Sequence, residues 1–498
     1  MRSRLQREID EHPLRLLMVV GLALRVIAAI FARGYMATDD HNQVIEMAAQ
    51  WLRGDNDYLA GDSQFYRSLL YPYLNYLQID ACHAIGIIHP DSVMLINRLL
   101  HAALSLWTIA LTYRIALRLS DRPTAFVAGL VVAAYAVMPY IAVRNLIEAV
   151  CMPFLLWGLN EILRAEQEEW HTIRPWIVAG LALGIGFLIR WQVASAIAGI
   201  GVYLLIRRQW RGAIMMSVAF CIPVIIEGIW DWQAHGVFLG SLVRYIEHNA
   251  LHAYDYVVGP WYRYLLLILG IFIPPFSLLC FYAAGRYIKR LGILAWAALP
   301  FLIVHSLVPG KQERFLLPIF PLLVLMFVIA LWHWQKECSE RWRRWIAYGW
   351  RWFWLVNAAL LIGALTHYGQ RGKIEPLIGL FEQEEVTGVI VDLSERGRRT
   401  DLPLFYADGG GAKPLPRLFQ ATTKAQRDSL LESSDGDQWS HMIVFTRSEQ
   451  LVDVMPDSLG RHTEILRHTG PTLVEQALLK LNPKYTHSRE SWLLRIER

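Results

Sequence analysis

Asp39 and Asp40 stand side by side in a polar gap, residues 33–91, that follows the first membrane-length apolar run, Leu14 to Ala32. Paired carboxylates just beyond a lipid slab suit chemistry on a lipid-borne substrate, because a carboxylate can take the proton of an attacking alcohol. More polar residues fall at the ends of later apolar runs: Arg67, Arg144, Asn145, Glu148, Arg190, Asp231, Lys311, Glu313 and Arg314. Charges at membrane depth are costly and need partners. Each alone is explained by local pairing or snorkelling; together, on one face, they point to a shared site. Arg67 carries the fixed charge that meets a phosphate.

The two carboxylates differ in local context. Val44, Met47, Ala48, Trp51 and Leu52 recur at helical spacing and predict an amphipathic helix lying on the membrane surface. Asp40 occupies the position that caps this helix, with Gln43 closing a capping box. Asp39, one residue earlier, has no helix to serve and is the first choice for chemistry. Arg67-Ser68-Leu69-Leu70-Tyr71-Pro72 then leads into an apolar stretch to Ile88, expected as a second surface or re-entrant helix.

These groups need elements to hold them. With 498 residues, 55% hydrophobic, only 18% charged and a mean hydropathy of +0.30, the chain has the composition of a polytopic, mostly α-helical membrane protein. Apolar runs predict helices near Leu14 to Ala32, Ser92 to Leu117, Thr124 to Val143, Leu146 to Leu163, Trp176 to Ile189 and Gln192 to Ile206. Further spans are expected near Gly212 to Trp230, Trp261 to Ala284, Leu291 to Leu307, Phe315 to Trp334 and Ile346 to Thr366, roughly eleven in all. The first is too long for a cleavable signal and is expected as an anchor.

Basic residues set the orientation. Arg2, Arg4 and Arg7, then Arg118 and Arg122, then Arg207, Arg208 and Arg211, then Arg286, Lys289 and Arg290, then Lys336, Arg341, Arg343 and Arg344 mark alternate loops as cytoplasmic. The loop from Arg164 to Arg174 votes weakly, since it also holds Glu166, Glu168 and Glu169. The amino terminus is then inside, and the carboxyl-terminal region outside with the polar cluster. Cys82, Cys151, Cys221, Cys280 and Cys338 are scattered and show neither metal-ligand nor disulfide spacing.

The chain divides into residues 1–368, a membrane domain with its first external loop at 33–91, and residues 369–498, a soluble α/β domain. Strand-like runs at Val386 to Leu393, Met442 to Thr446 and Trp492 to Ile496 alternate there with helical patterns at Lys424 to Leu431 and Leu473 to Leu481. Asp408-Gly409-Gly410-Gly411 lacks the strand-loop-helix context of a phosphate cradle and is expected as a turn.

In order along the chain, several stretches resemble glycosyltransferase family 22 of the GT-C superfamily, which includes the lipid-linked-oligosaccharide and glycosylphosphatidylinositol mannosyltransferases. Thr38-Asp39-Asp40-His41-Asn42-Gln43 with Glu46 resembles the family's Pro-Asp-Glu-x-x-Gln with a following Glu. Arg67-Ser68 with Tyr71-Pro72 resembles its Arg-Ser and Pro signature, and Arg144-Asn145 with Glu148 its short Arg, Asn and Glu motif. Arg190 ends a helix as a family arginine does. Tyr245-Ile246-Glu247-His248-Asn249 with Gly259-Pro260-Trp261-Tyr262 resembles a later external loop, and His305 to Phe315 resembles the His-Ser, then His-Lys-Glu-x-Arg-Phe stretch. Asp40 stands for a Glu, Gly310 for a His and Gln312 for a Glu; Lys311 and Arg314 keep the charge.

The resemblance implies a bacterial GT-C enzyme in the cell inner membrane, acting on its extracytoplasmic side. It would move a sugar, mannose first, from a polyprenyl-phosphate donor to a hydroxyl of a lipid-linked or surface glycan. The chemistry agrees: Asp39, with Asp40 second, is expected as general base, and Arg190, Lys311 and Arg314 as partners of the leaving phosphate. Arg67, Arg144 and Glu148 are expected to shape the site. Protein cations can offset a monophosphate, so no metal or other cofactor is expected, and no nucleic-acid partner. A transporter or lipid flippase would also line a cavity with charge, but no internal repeat is visible. An aminoarabinose-type or protein-glycosylating relative keeps the enzyme and changes the substrate.

Overall fold

A chain in hydrocarbon must satisfy each backbone N–H and C=O within itself, so apolar runs of membrane length fold as helices. The computed structural model describes residues 11–55, 67–168, 172–255, 257–432, 438–446, 451, 462–481 and 490–496. Among these, four segments are long and apolar enough to cross a bilayer: Pro13–Phe31, Pro90–Leu119, Trp210–Ala234 and Glu313–Glu337. Shorter apolar helices accompany them at Arg122–Ala134, Arg174–Ile189, Trp191–Ile206 and Ile293–Leu307. Arg2, Arg4, Arg7 and Glu169 lie outside the described residues.

Two expected spans are broken. The run from Thr124 to Val143 splits into Arg122–Ala134 and Val137–Ala142. Side chains replace the bonds lost at the break: Arg25 donates to the carbonyls of Val132 and Ala133 at 3.2 and 3.0 Å, and Asn357 donates to Ala134 O and accepts from Ala136 N. The run from Trp261 to Ala284 bends by 119° between Arg263–Ile271 and Phe276–Leu291. Pro274 and Pro275 fall in the gap and bring no N–H to continue a helix.

The chain forms two compact units. The first comprises Met1–Ala29, Tyr58–Tyr71 and Leu99–Leu365. Small residues bring its helices together. A Cβ on Gly180 would meet Met216 O at 2.2 Å, and one on Gly184 would meet the Pro223 side chain at 2.6 Å, so helix Arg174–Ile189 lies almost backbone to backbone on Trp210–His235.

The second unit comprises Ile30–Asp57, Pro72–Arg98 and Thr366–Arg498. Among its described residues is a five-stranded sheet: β1 (Gly388–Asp392), β2 (Arg417–Ala421), β3 (His441–Val444), β4 (Thr463–Thr469) and β5 (Ser491–Ile496), in the order β2-β1-β3-β5-β4. β1 runs parallel to β2 and β3, and β5 antiparallel to β3 and β4. Helices Lys424–Glu432 and Leu473–Leu481 lie where their periodicity puts them.

The segment after Asp40 joins this unit's core. Ile45, Ala48 and Ala49 are fully buried in one cluster with Ile374, Val389 and Phe405. Their apolar face is therefore covered by protein, which corrects the reading of a helix lying on a membrane surface. The capping reading is corrected too. Helix begins at Thr38 with Ala37 at its N-cap, so Asp40 falls inside the first turn, buried, and residues His41–Glu46 continue as π-helix.

His441, buried on β3 with Nδ1 2.9 Å from Ser440 Oγ, is pushed down to about 4 by burial and then by Arg495. The fold accepts its neutral form. Its contribution to stability is complete above the unfolded value of 6.5 and is lost as the pH falls from there towards about 4. In thermal unfolding of the full chain, His441→Phe should flatten the decline of Tm across that window, and an unchanged slope would contradict the burial argument.

Candidate active site

In the first unit, ends of helices bring charged residues into one buried group. Glu148 lies in the first turn of helix Ile147–Gln167, where a carboxylate suits the positive end of the helix dipole. Arg190 is the C-cap of helix Arg174–Ile189, in extended conformation, with a cation at the negative end. Arg314 follows the loop after helix Ile293–Leu307, in the first turn of the 3-10 segment Glu313–Ile319. Glu148 Oε1 lies 3.0 Å from Arg190 Nη2 and 3.9 Å from Arg314 Nη1, with Glu148 fully buried and the arginines nearly so.

One buried carboxylate thus faces two guanidinium groups. Both guanidinium groups also lie near the Phe315 ring, at 5.1 and 5.6 Å from its centroid, within cation–π range. Arg314 Nε donates to Gln312 Oε1 at 2.8 Å. Arg190 Nε makes no hydrogen bond among the described residues. A buried guanidinium with a donor in reserve is a fitting partner for a phosphate oxygen.

Lys311 is used differently. Its ammonium donates to His305 O at 2.7 Å, to Ser306 O at 2.8 Å and to Val308 O, closing the carboxyl end of helix Ile293–Leu307. Burial, and then Arg263, lower its pKa from the ordinary lysine value. Its backbone N–H bonds Val257 O at 2.8 Å, beside the antiparallel bridge of Val258 and Gly310. Lys311 thus holds the loop that presents Arg314. Gly310, where the resembling family has His, has room for a side chain, since its Cβ would approach only Ala253 O, at 3.9 Å.

Arg144 is buried near the start of the same helix as Glu148, with its guanidinium 3.6 Å over the Tyr140 ring and Nη1 bonded to Tyr140 O at 2.5 Å. Arg67 is half-buried at the start of the Arg67-Ser68-Leu69 segment. That segment is held by Glu227, which accepts Leu69 N–H at 2.7 Å and the Ser68 hydroxyl. Sequence reasoning passed over Glu227, although an acid inside a long apolar helix was a signal. Asp231 accepts the amide and hydroxyl of Ser241 at 2.9 and 2.7 Å, and Glu313 pairs with Arg263 at 2.6 Å. Asp39 and Asp40 belong to the second unit, on the turn Thr38–Asp40, with Asp39 half-buried and Asp40 buried. Among the described residues no group of three His, Cys, Asp or Glu is placed to hold a metal ion.

The model of the Alg9-like mannosyltransferase family matches residues 16–389. The chain belongs to that family. This membership in a transferase family sets aside the transporter and flippase reading. The Alg9-like chain is 27% identical over 182 residues to alpha-1,2-mannosyltransferase ALG9 of Mus musculus, a match covering 32% of this chain but only 29% of that relative's length. It is 23% identical over 403 residues to GPI mannosyltransferase 3 of Yarrowia lipolytica, covering 77% and 75% of the two chains. It is also 28% identical over 170 residues to an undecaprenyl phosphate-alpha-4-amino-4-deoxy-L-arabinose arabinosyl transferase of Edwardsiella ictaluri, covering 30% of each. Its fold is that of ArnT from Cupriavidus metallidurans, solved bound to undecaprenyl phosphate, with a TM-score of 0.61 at 12% identity over 96% of this chain and 97% of that one. The architecture is GT-C: a helical membrane protein with a small carboxyl-terminal sheet domain.

Removing one partner from a buried charge group costs on the order of 3–5 kcal/mol, because the remaining charges stay buried. Glu148→Gln should lower Tm in detergent by an amount that Arg190→Gln does not add to in the double variant. Additive losses would show that the two residues do not act as one group.

Proposed function

We propose that this Alg9-like chain transfers a hexose, in the first reading mannose, from a polyprenyl-phosphate donor to a hydroxyl of a lipid-linked or surface glycan. Asp39 takes the acceptor proton as general base, with Asp40 second. The acceptor oxygen bonds to the anomeric carbon, the bond from that carbon to the phosphate oxygen breaks, and the lipid phosphate leaves with the electron pair. Arg190 and Arg314 offset the charge gained by the phosphate, while Lys311 holds the loop that presents Arg314 and Arg67, Arg144 and Glu148 shape the site. The site and residues 33–91 and 369–498 lie outside the inner membrane of a bacterium.

The observation that supports this most is the buried Glu148, Arg190 and Arg314 group in a chain of a mannosyltransferase family. Its two guanidinium groups are the kind of partner that offsets the charge on a departing monophosphate. A second reading keeps the reaction and changes the sugar to an aminoarabinose. It is favoured by the arabinosyl transferase relatives and would be distinguished by supplying each polyprenyl-phosphate sugar in turn.

General base catalysis is worth about 10² to 10⁴ in rate. Asp39→Ala should therefore lower transfer by about that factor, while donor binding and Tm stay near those of the parent chain. Transfer at the parent rate would reject Asp39 as the base.

A further inference from the structure

The turn that carries Asp39 and Asp40 opens a segment gripped along its length by residues far later in the chain. Glu46 is buried, and its two oxygens accept the Phe405 N–H at 2.9 and 3.1 Å. Arg53, just past helix Met47–Leu52, meets buried Asp408 fork to fork, with Nε to Oδ2 at 2.5 Å and Nη2 to Oδ1 at 2.9 Å. The turn predicted at Asp408 to Gly411 shapes this partner: its three glycines all have positive φ, and Gly410 N–H returns to Asp408 Oδ1 at 2.9 Å.

Next to the carboxylates, His41 is stacked on Tyr35 and lies parallel to Tyr406, with ring centroids at 4.4 and 5.8 Å, and its Nε2 is 3.3 Å from Glu46 Oε1. Before them, Gly34 bridges Gly369 so closely that a Cβ on Gly34 would meet Gly369 O at 1.9 Å. All these contacts lie within the second unit. Apolar packing alone would tolerate sliding or rotation of a short helix. Directional ion and hydrogen-bond pairs with a buried carboxylate do not.

We propose that the carboxyl-terminal α/β domain is a positioning element for the Asp39-Asp40 turn, with the Glu46–Phe405 and Arg53–Asp408 pairs setting the register and rotation of residues 38–53. This rests on Asp39 acting as the base. The domain then serves the reaction by orienting a carboxylate more than 300 residues away in sequence.

The test uses the full-length protein with Arg53→Ala, Arg53→Lys and Glu46→Gln, each assayed with polyprenyl-phosphate mannose for kcat and KM and by hydrogen exchange over residues 38–53. Exchange there should rise about tenfold or more in Arg53→Ala. Its kcat should fall about 10- to 100-fold, with the donor KM unchanged within about twofold, and Arg53→Lys, which keeps charge but loses the fork, should fall between. Arg53 is partly exposed, so its lysine variant still reports if the alanine variant fails to fold. Unchanged exchange overturns the proposal, as does faster exchange with unchanged kcat. Failure of the base assignment is separate: there Asp39→Ala itself remains active.

Discussion

The first unit's candidate site depends on one buried carboxylate. Glu148 is fully enclosed and lies within ion-pair distance of Arg190 and Arg314. Without it, two guanidinium groups in a water-poor setting would repel each other, and burying them would cost several kcal/mol per ion. With it, they sit together around a shared carboxylate. Glu148 at a helix start and Arg190 at a helix end each stand where the dipole favours their sign, whereas Arg314, at the start of a 3-10 segment, depends on Glu148 instead.

Much of this was legible as polar residues interrupting apolar runs. Glu148, Arg190 and Arg314 were readable because ionisable groups at span ends stand out against a 55% hydrophobic chain. Their pairing was not, since it joins three helix ends distant in sequence. Lys311 was readable as a cation but not as a helix cap, because its partners are main-chain carbonyls that any sequence supplies. Four of the expected spans were legible by length among the described residues, whereas the break after Ala134 was not: Arg25 and Asn357, which bind its open backbone groups, come from elsewhere in the chain. Central strands β1, β3 and β5 announced themselves as apolar runs. Edge strands β2 and β4 did not, since Arg417–Ala421 and Thr463–Thr469 are mostly only partly buried and mix polar with apolar side chains.

Local rules failed most clearly around Asp40. By its neighbours it reads as a helix cap, and the residues after it read as a helix awaiting a membrane surface. Tertiary packing overrides both, because Ile45, Ala48 and Ala49 find an apolar core in the sheet domain, and Glu46 and Arg53 find partners at Phe405 and Asp408. Two stretches of the polar gap, residues 33–57 and 72–91, and the carboxyl-terminal domain, read separately as a loop and a soluble appendage, form one compact unit with a common core. A paired carboxylate on such a base is held by protein rather than by lipid.

The central claim is that Arg190 and Arg314, assembled by Glu148, receive the phosphate of the lipid carrier. An experimental structure of the chain with polyprenyl phosphate bound tests it most directly. The account predicts phosphate oxygens about 2.7–2.9 Å from guanidinium nitrogens of both arginines, with Glu148 still paired to Arg190. A phosphate seated away from both arginines, with their guanidinium groups still turned only to protein, would contradict it.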